Sequence, residues 1–102
     1  YEDLFSKPSF EGGMQAFYRY LSSEMKYPKQ AAKDRISGTV FISFTVKKDG
    51  SVEDVEATKS PDFDLSNEAI RIIEKSPKWI PGKDFGETLN VKYNMPIKFS
   101  LQ

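Results

Sequence analysis

Carboxylates are the side chains in this sequence that most resemble catalytic or metal-binding groups. Asp62 with Asp64, and Glu53 with Asp54, are spaced closely enough to suggest a general acid and base. Nothing in the sequence places either pair in a pocket, and such residues commonly serve solvation and helix capping. The spacing from Asp62 through Asp64 to Ser66 lacks the glycine and the distal glutamate of a calcium loop. We therefore expect no enzyme, no bound metal and no cofactor.

The amino-acid composition argues against several other kinds of catalytic and binding site. Histidine and cysteine are absent from the 102 residues, which excludes the usual general base, the usual zinc ligand and a thiol nucleophile. Basic and acidic residues number 15 each, so no net field favours nucleic acid or an anionic membrane. The length predicts one domain that can bury a core unaided. The chain begins at Tyr1 rather than at methionine, and we interpret it as part of a longer protein.

Main-chain donors and acceptors near the carboxyl end remain available for binding. Apolar residues occupy every odd position from Leu89 to Leu101, and the even positions are polar apart from Pro96. This period of two predicts a β-strand with one face on the core. Proline lacks the N–H of a ladder hydrogen bond, so Pro96 predicts an edge strand whose even residues face outward. Asn90, Lys92 and Asn94 would then offer unpaired groups to an extended peptide.

Such an edge strand has two interpretations. It can accept a strand from a partner, or it can be an ordinary edge that Lys92, Lys98 and Pro96 protect against aggregation. The alternation alone favours the protected edge, because protected edges are commoner than peptide-binding ones.

Two amphipathic segments supply the layer against which the strand packs. Apolar residues at helical spacing predict helices over 14–26 and 65–76, the second with Ser66 as its N-cap. A shorter helical piece is expected over 29–35. Both longer helices end close to a proline, which disfavours helical backbone at the residue before it.

A hairpin supplies the other strands. Alternation over 39–47 predicts the first strand, Asp49-Gly50 predicts a tight turn, and Val52 begins the return strand with a β-bulge near Glu53-Asp54. A helix between the second and third strands makes those two parallel, so the first strand lies between them. The predicted fold is α+β: two helices on one face of a three-stranded antiparallel sheet. The element order is α-β-β-α-β and the strand order 2-1-3, with the final strand at an edge.

Four runs of sequence resemble the TonB carboxy-terminal domain family or the segment ahead of it. The run YPKQAAKDRISGTVFISFTVKKDGSVEDVEATKS resembles its Tyr-Pro pair, short helix, Asp-Gly hairpin and valine-rich return strand. LSNEAIRIIEKSPKWIPGK is similar to its second helix and following turn, and NVKYNMPIKF to its final strand. FEGGMQAFYRYL resembles the segment ahead of the domain in one branch of the family. On this resemblance, residues 1–12 are a lead-in and residues 13–102 the domain.

The resemblance implies a periplasmic protein-binding domain of an energy transducer anchored in the inner membrane of a Gram-negative bacterium. The domain would capture the TonB box of an outer-membrane TonB-dependent transporter by β-strand addition. An inner-membrane energising complex would act through the missing amino-terminal part and so couple energy to nutrient uptake. The alternative is a structural or homodimerisation module of another cell-envelope protein. Neither function implies contact with nucleic acid.

Position in the family's pattern assigns the partner-binding residues. These are Tyr27 and Pro28 near the mouth of the site and, along the strand, Glu87, Thr88, Leu89, Asn90, Val91, Lys92, Tyr93 and Asn94. Residues 79–83 would shape the turn that leads into residues 87–94, which are called the strip below. Packing in the core or in a turn is the alternative role for Tyr27 and Trp79. Pro96 removes an outward donor, so we expect a bound strand to pair upstream of it.

Overall fold

The structure is a computed structural model that describes residues 5–100. Its helices are α1 (Gly13–Glu24), α2 (Lys29–Lys33) and α3 (Phe63–Glu74). Its strands are β1 (Phe5–Ser6), β2 (Gly38–Val46), β3 (Val52–Lys59), β4 (Gly82–Asp84), β5 (Glu87–Leu89) and β6 (Val91–Phe99). Within residues 5–100, none of the helices is long and apolar enough to cross a membrane.

The main sheet has the order β3-β2-β6, and β2 is antiparallel to both neighbours. This arrangement confirms the predicted α+β class, the strand order and the edge position of the final strand. Val40, Ile42, Phe44 and Val46 of β2 are fully buried and join the core cluster with Phe17 of α1 and Leu65 of α3. The helices therefore cover one face of the sheet, as the alternation predicts.

The predicted lead-in packs into the same core. Phe10 is 6% exposed, and its ring centroid lies 5.2 Å from that of Phe17 and 5.3 Å from that of Trp79. The amide of Ser9 donates to the carbonyl of Ile80 at 3.0 Å, and the amide of Ile80 donates back at 2.7 Å. The segment ahead of α1 is consequently held by both packing and main-chain hydrogen bonds.

The predicted β-bulge is present in β3. Thr45 pairs with Glu53 whereas Ser43 pairs with Glu56, so β3 contains one residue more than β2 between these pairs. Asp54 has φ 54, a left-handed conformation that accommodates the extra residue. The bulge restores the inward direction of the apolar side chains that follow it.

The N-cap assigned to the third helix from the sequence is wrong. Helix α3 starts at Phe63, and its N-cap Asp62 accepts a hydrogen bond from the amide of Asp64 at 3.0 Å. Ser66 lies inside the first turn, where its hydroxyl donates to the carbonyl of Asp62 at 3.1 Å. Aspartate and serine are comparable caps, and the aspartate stands closer to the preceding turn.

A second, smaller sheet was not predicted. Its order is β1-β4-β5, and β4 and β5 form a hairpin whose turn residues Phe85 and Gly86 have φ 52 and φ 83. The predicted continuous strand from Leu89 is therefore wrong, because the chain leaves this sheet at Leu89 and enters the main sheet at Val91. Leu101, the predicted end of that strand, lies outside the described residues.

Candidate partner-binding edge

Strand β6 forms one edge of the main sheet along its whole length. It pairs with β2 without a register shift, from Gly38 opposite Phe99 to Val46 opposite Val91. Met95, Ile97 and Phe99 are buried on the helix side. The alternation of apolar and polar residues over nine positions fixes this register, since a slip by one residue would turn every apolar side chain to solvent.

Pro96 determines which main-chain groups of β6 face outward. It stands opposite Phe41. Proline has no N–H, so this pair cannot exchange two hydrogen bonds and must be a non-hydrogen-bonded pair of the antiparallel ladder. The neighbouring odd residues, Met95 and Ile97, bond to β2, and the even residues direct their N–H and C=O groups away from it.

The outward groups divide into two stretches on either side of Pro96. Lys92 and Asn94 supply two N–H and two C=O groups before the proline, and Lys98 supplies one of each after it. The side chains of these residues and of Pro96 are exposed. An extended peptide can therefore form an uninterrupted ladder beside Lys92 and Asn94 but loses one hydrogen bond at Pro96.

Only part of the predicted strip lies on this edge. Val91, Lys92, Tyr93 and Asn94 belong to β6, whereas Glu87, Thr88 and Leu89 form β5, which is the edge of the smaller sheet. Asn90 lies between the two strands, and its side-chain oxygen accepts a hydrogen bond from the amide of Lys48 at 2.9 Å. This bond ties the break in the strand to the β2–β3 turn.

Tyr27 and Pro28 lie at the other end of β6 and not at the mouth of the strip. The ring of Tyr27 packs edge-on against Phe99 at 5.8 Å, and its hydroxyl donates to the carbonyl of Ile36. Asn94 is five residues from Phe99, roughly 17 Å along a strand. Packing of Tyr27 against Phe99 therefore holds this pair apart from Lys92 and Asn94, and a role of Tyr27 and Pro28 in partner binding stays a prediction.

Trp79 supports the strip from beneath. It is 3% exposed, its indole N–H donates to the Ser76 hydroxyl at 3.1 Å, and its ring lies 6.0 Å from that of Tyr93. Its main-chain amide donates to the carbonyl of Gly50 at 2.8 Å. The tryptophan is a core residue that fixes the half-buried Tyr93 and the β2–β3 turn.

A cavity of about 320 Å³ opens beside the first half of β6. It is lined by Lys7, Pro8, Val91, Lys92, Tyr93 and Asn94. The lead-in thus forms a wall facing the part of the edge where a ladder can continue without interruption. Sequence reasoning missed Lys7 and Pro8, because no periodicity relates a two-residue strand to the segment it approaches.

The carboxylates considered first have structural roles. Asp62 caps α3, and Glu53 lies 3.4 Å from the ammonium of Lys47. Glu68 joins α3 to the segment that follows α1: it accepts from the guanidinium of Arg71 at 2.7 Å and from the amide of Lys26 at 2.7 Å. Burial by itself would raise the pKa of Glu68, but these hydrogen bonds outweigh burial and lower that pKa.

Comparison with known proteins identifies the fold. A family model described as Gram-negative bacterial TonB protein C-terminal matches residues 23–101. A solution NMR structure of the Helicobacter pylori TonB carboxy-terminal domain superposes with a TM-score of 0.66 and 30% sequence identity, over 87% of this chain and 80% of that one.

Two curated relatives are similar along most of this chain. Protein TonB of Helicobacter pylori strain J99 is 39% identical over 83 residues, which are 80% of this chain and 28% of that protein. Protein TonB of Campylobacter coli is 32% identical over 75 residues, 72% of this chain and 32% of that protein. This chain therefore spans about a third or less of these relatives. The family model covers most of the sequence, and the chain belongs to the TonB carboxy-terminal domain family.

Proposed function

We propose that this chain is the periplasmic partner-binding domain of a TonB-type energy transducer, with residues 13–102 as the domain. It captures the TonB box of an outer-membrane transporter, which adds as a strand beside β6. The single observation that supports this proposal most directly is the unpaired main chain of Lys92 and Asn94 on an unbulged edge strand. Energy reaches the domain from an inner-membrane complex through the part of the protein that precedes it.

The mechanism is mechanical and not chemical, since main-chain hydrogen bonds between β6 and the bound segment transmit force from one to the other. Each such bond contributes about 0.5–1.5 kcal/mol net, so the four outward groups of Lys92 and Asn94 support only a modest affinity. A pull along the strand loads all the bonds together in shear. A weak complex can therefore transmit force during a short engagement. Force spectroscopy tests this step, and rupture at equal loads in shear and in unzipping geometry would count against it.

Titration of the isotopically labelled protein with amino-terminal peptides of outer-membrane transporters tests the proposal itself. Backbone amide resonances of Lys92 and Asn94 should shift first, because their N–H groups gain partners. Amides of Met95 and Ile97 should shift less, because their partners are in β2. Shifts confined to the outer face of β3 would overturn the assignment.

The same edge could pair with its counterpart in a second copy. Sedimentation over a hundredfold range of protein concentration separates the two functions. A monomer that binds transporter peptides supports the transducer. A stable dimer whose β6 amides are protected from hydrogen exchange, and which ignores those peptides, supports the structural module.

A further inference from the structure

The cavity beside β6 has a chemical character that the main chain alone does not give it. Two of its six lining residues, Lys7 and Lys92, are basic, and none is acidic. Both lysines are exposed, and within residues 5–100 neither forms an ion pair. The cleft therefore has two basic lining residues and, within residues 5–100, no acidic one, so an anionic group bound there would be attracted to it.

The acidic residues of the β4–β5 hairpin lie at the turn, which is the end of the hairpin away from β6. Asp84 pairs with Glu87 next to the turn, whereas Gly82 pairs with Leu89 at the end that leads into β6. Gly82 also contacts Val91, because a Cβ at Gly82 would lie 2.8 Å from a methyl carbon of that valine. The register of the smaller sheet thus keeps the carboxylates of this hairpin away from the cleft.

The register of β6 determines which residue of an added strand would meet Lys92. Residues directly opposite each other in a ladder direct their side chains to the same face, with Cβ atoms about 5 Å apart. Lys92 projects on the face opposite the helices, so the residue opposite it projects there as well. Residues one position away project towards half-buried Val91 and Tyr93, and there they require apolar side chains.

We propose that Lys7 and Lys92 form a subsite for one acidic side chain of the bound segment, at the position opposite Lys92. This inference rests on the proposed function, since it assumes strand addition beside β6. An aspartate or glutamate flanked by apolar residues is the pattern that the subsite selects. Charge complementarity at a partly enclosed cleft supplies specificity and register more than it supplies affinity.

The test uses transporter amino-terminal peptides in which each acidic residue is replaced singly by its amide. At low salt, one replacement should weaken binding about three- to tenfold, and half-molar salt should reduce the difference. Lys92→Glu should remove the preference for the acidic peptide, and Lys7→Glu should reduce it. Lys98→Glu is the matched control, since Lys98 lies on the same edge but does not line the cavity.

The outcomes separate this inference from the proposed function. Suppose that peptides shift the β6 amide resonances but bind equally well with the acidic residue and with its amide replacement. That result overturns the subsite and still supports strand addition. Peptides that produce no shift at β6 overturn strand addition, and the subsite falls with it. An equal effect of Lys92→Glu and Lys98→Glu would assign the preference to general charge and would also overturn the subsite.

Discussion

The two edges of the main sheet differ in ways that bear on partner binding. The β3 edge contains the bulge at Asp54 and exposes Glu53 and Glu56. The β6 edge has an unbroken register with β2 and exposes Lys92 and Lys98. Bulges and inserted charges are common means of preventing strand addition. A bulge interrupts the β3 edge, whereas the β6 edge has no bulge, and this difference supports the proposal that a partner strand adds beside β6.

The largest expected effect comes from removing an outward donor. Lys92→Pro deletes the N–H beside which a peptide would pair, and the ring obstructs the neighbouring strand. We expect peptide affinity to fall at least about thirtyfold, equivalent to roughly 2 kcal/mol. Isothermal titration with a transporter peptide measures this loss, and thermal unfolding checks that the variant remains folded.

Lys98→Pro provides the matched control for that prediction. It makes the same change on the same strand and with the same outward parity, but beyond Pro96. Its affinity for the transporter peptide should remain within about twofold of that of the unsubstituted protein if the peptide's hydrogen bonds to β6 end at Pro96. Equal losses in the two variants would show that the peptide pairs across the proline.

The converse experiment converts the protected edge into an open one. Deletion of Asp54 would remove the extra residue, so that Val52, Val55 and Ala57 would alternate without a bulge. Loss of this bulge should promote self-association through the first half of β3, detectable as concentration-dependent sedimentation, although the register shift between Ala57 and Lys59 remains. A variant that stays monomeric and folded at every concentration would show that the bulge at Asp54 is not needed to protect this edge.

The hydrogen bonds of Glu68, in the helix layer, should contribute to stability but not to peptide binding at β6. Glu68 holds α3 to the segment after α1. Its pKa is lower in the folded state, so it contributes stability that is present above the ordinary carboxyl range and is lost as pH falls through the folded pKa. The side chain of Arg71 is 38% exposed, so Glu68→Gln should cost only about 1 kcal/mol at neutral pH. Denaturant unfolding from neutral to acidic pH measures the difference in unfolding free energy between the two proteins, which should disappear at acidic pH.

Glu24→Gln is the control for this substitution. Glu24 lies 3.3 Å from Lys75, whose side chain is 64% exposed, and such a pair should contribute less than about 0.5 kcal/mol. Both variants should bind the transporter peptide like the parent. A loss of peptide affinity in Glu68→Gln would mean that the helix layer controls the β6 edge.

The sequence contained enough to predict the main sheet and its edges, but not the smaller sheet. Uninterrupted alternation determined the register of β6, and Pro96 identified its outward parity. The same alternation concealed the break at Asn90, because Leu89 and Val91 fit a single strand equally well. The β4–β5 turn was missed since its first residue is Phe85, whereas such turns usually have asparagine, aspartate or glycine there. The position of the lead-in beside the same cavity as β6 is tertiary and leaves no local pattern.

The smallest expected effect concerns the conformation of the bulge itself. Asp54 adopts φ 54, which costs a non-glycine residue free energy that glycine does not pay. Asp54→Gly should therefore raise the free energy of unfolding by about 0.5–1 kcal/mol while the bulge and the monomeric state persist. Chemical denaturation measures the gain, and sedimentation checks the state of association. A stabilised monomer would show that bulge geometry protects the β3 edge without the charge of Asp54. A stabilised dimer would instead assign that protection to the carboxylate.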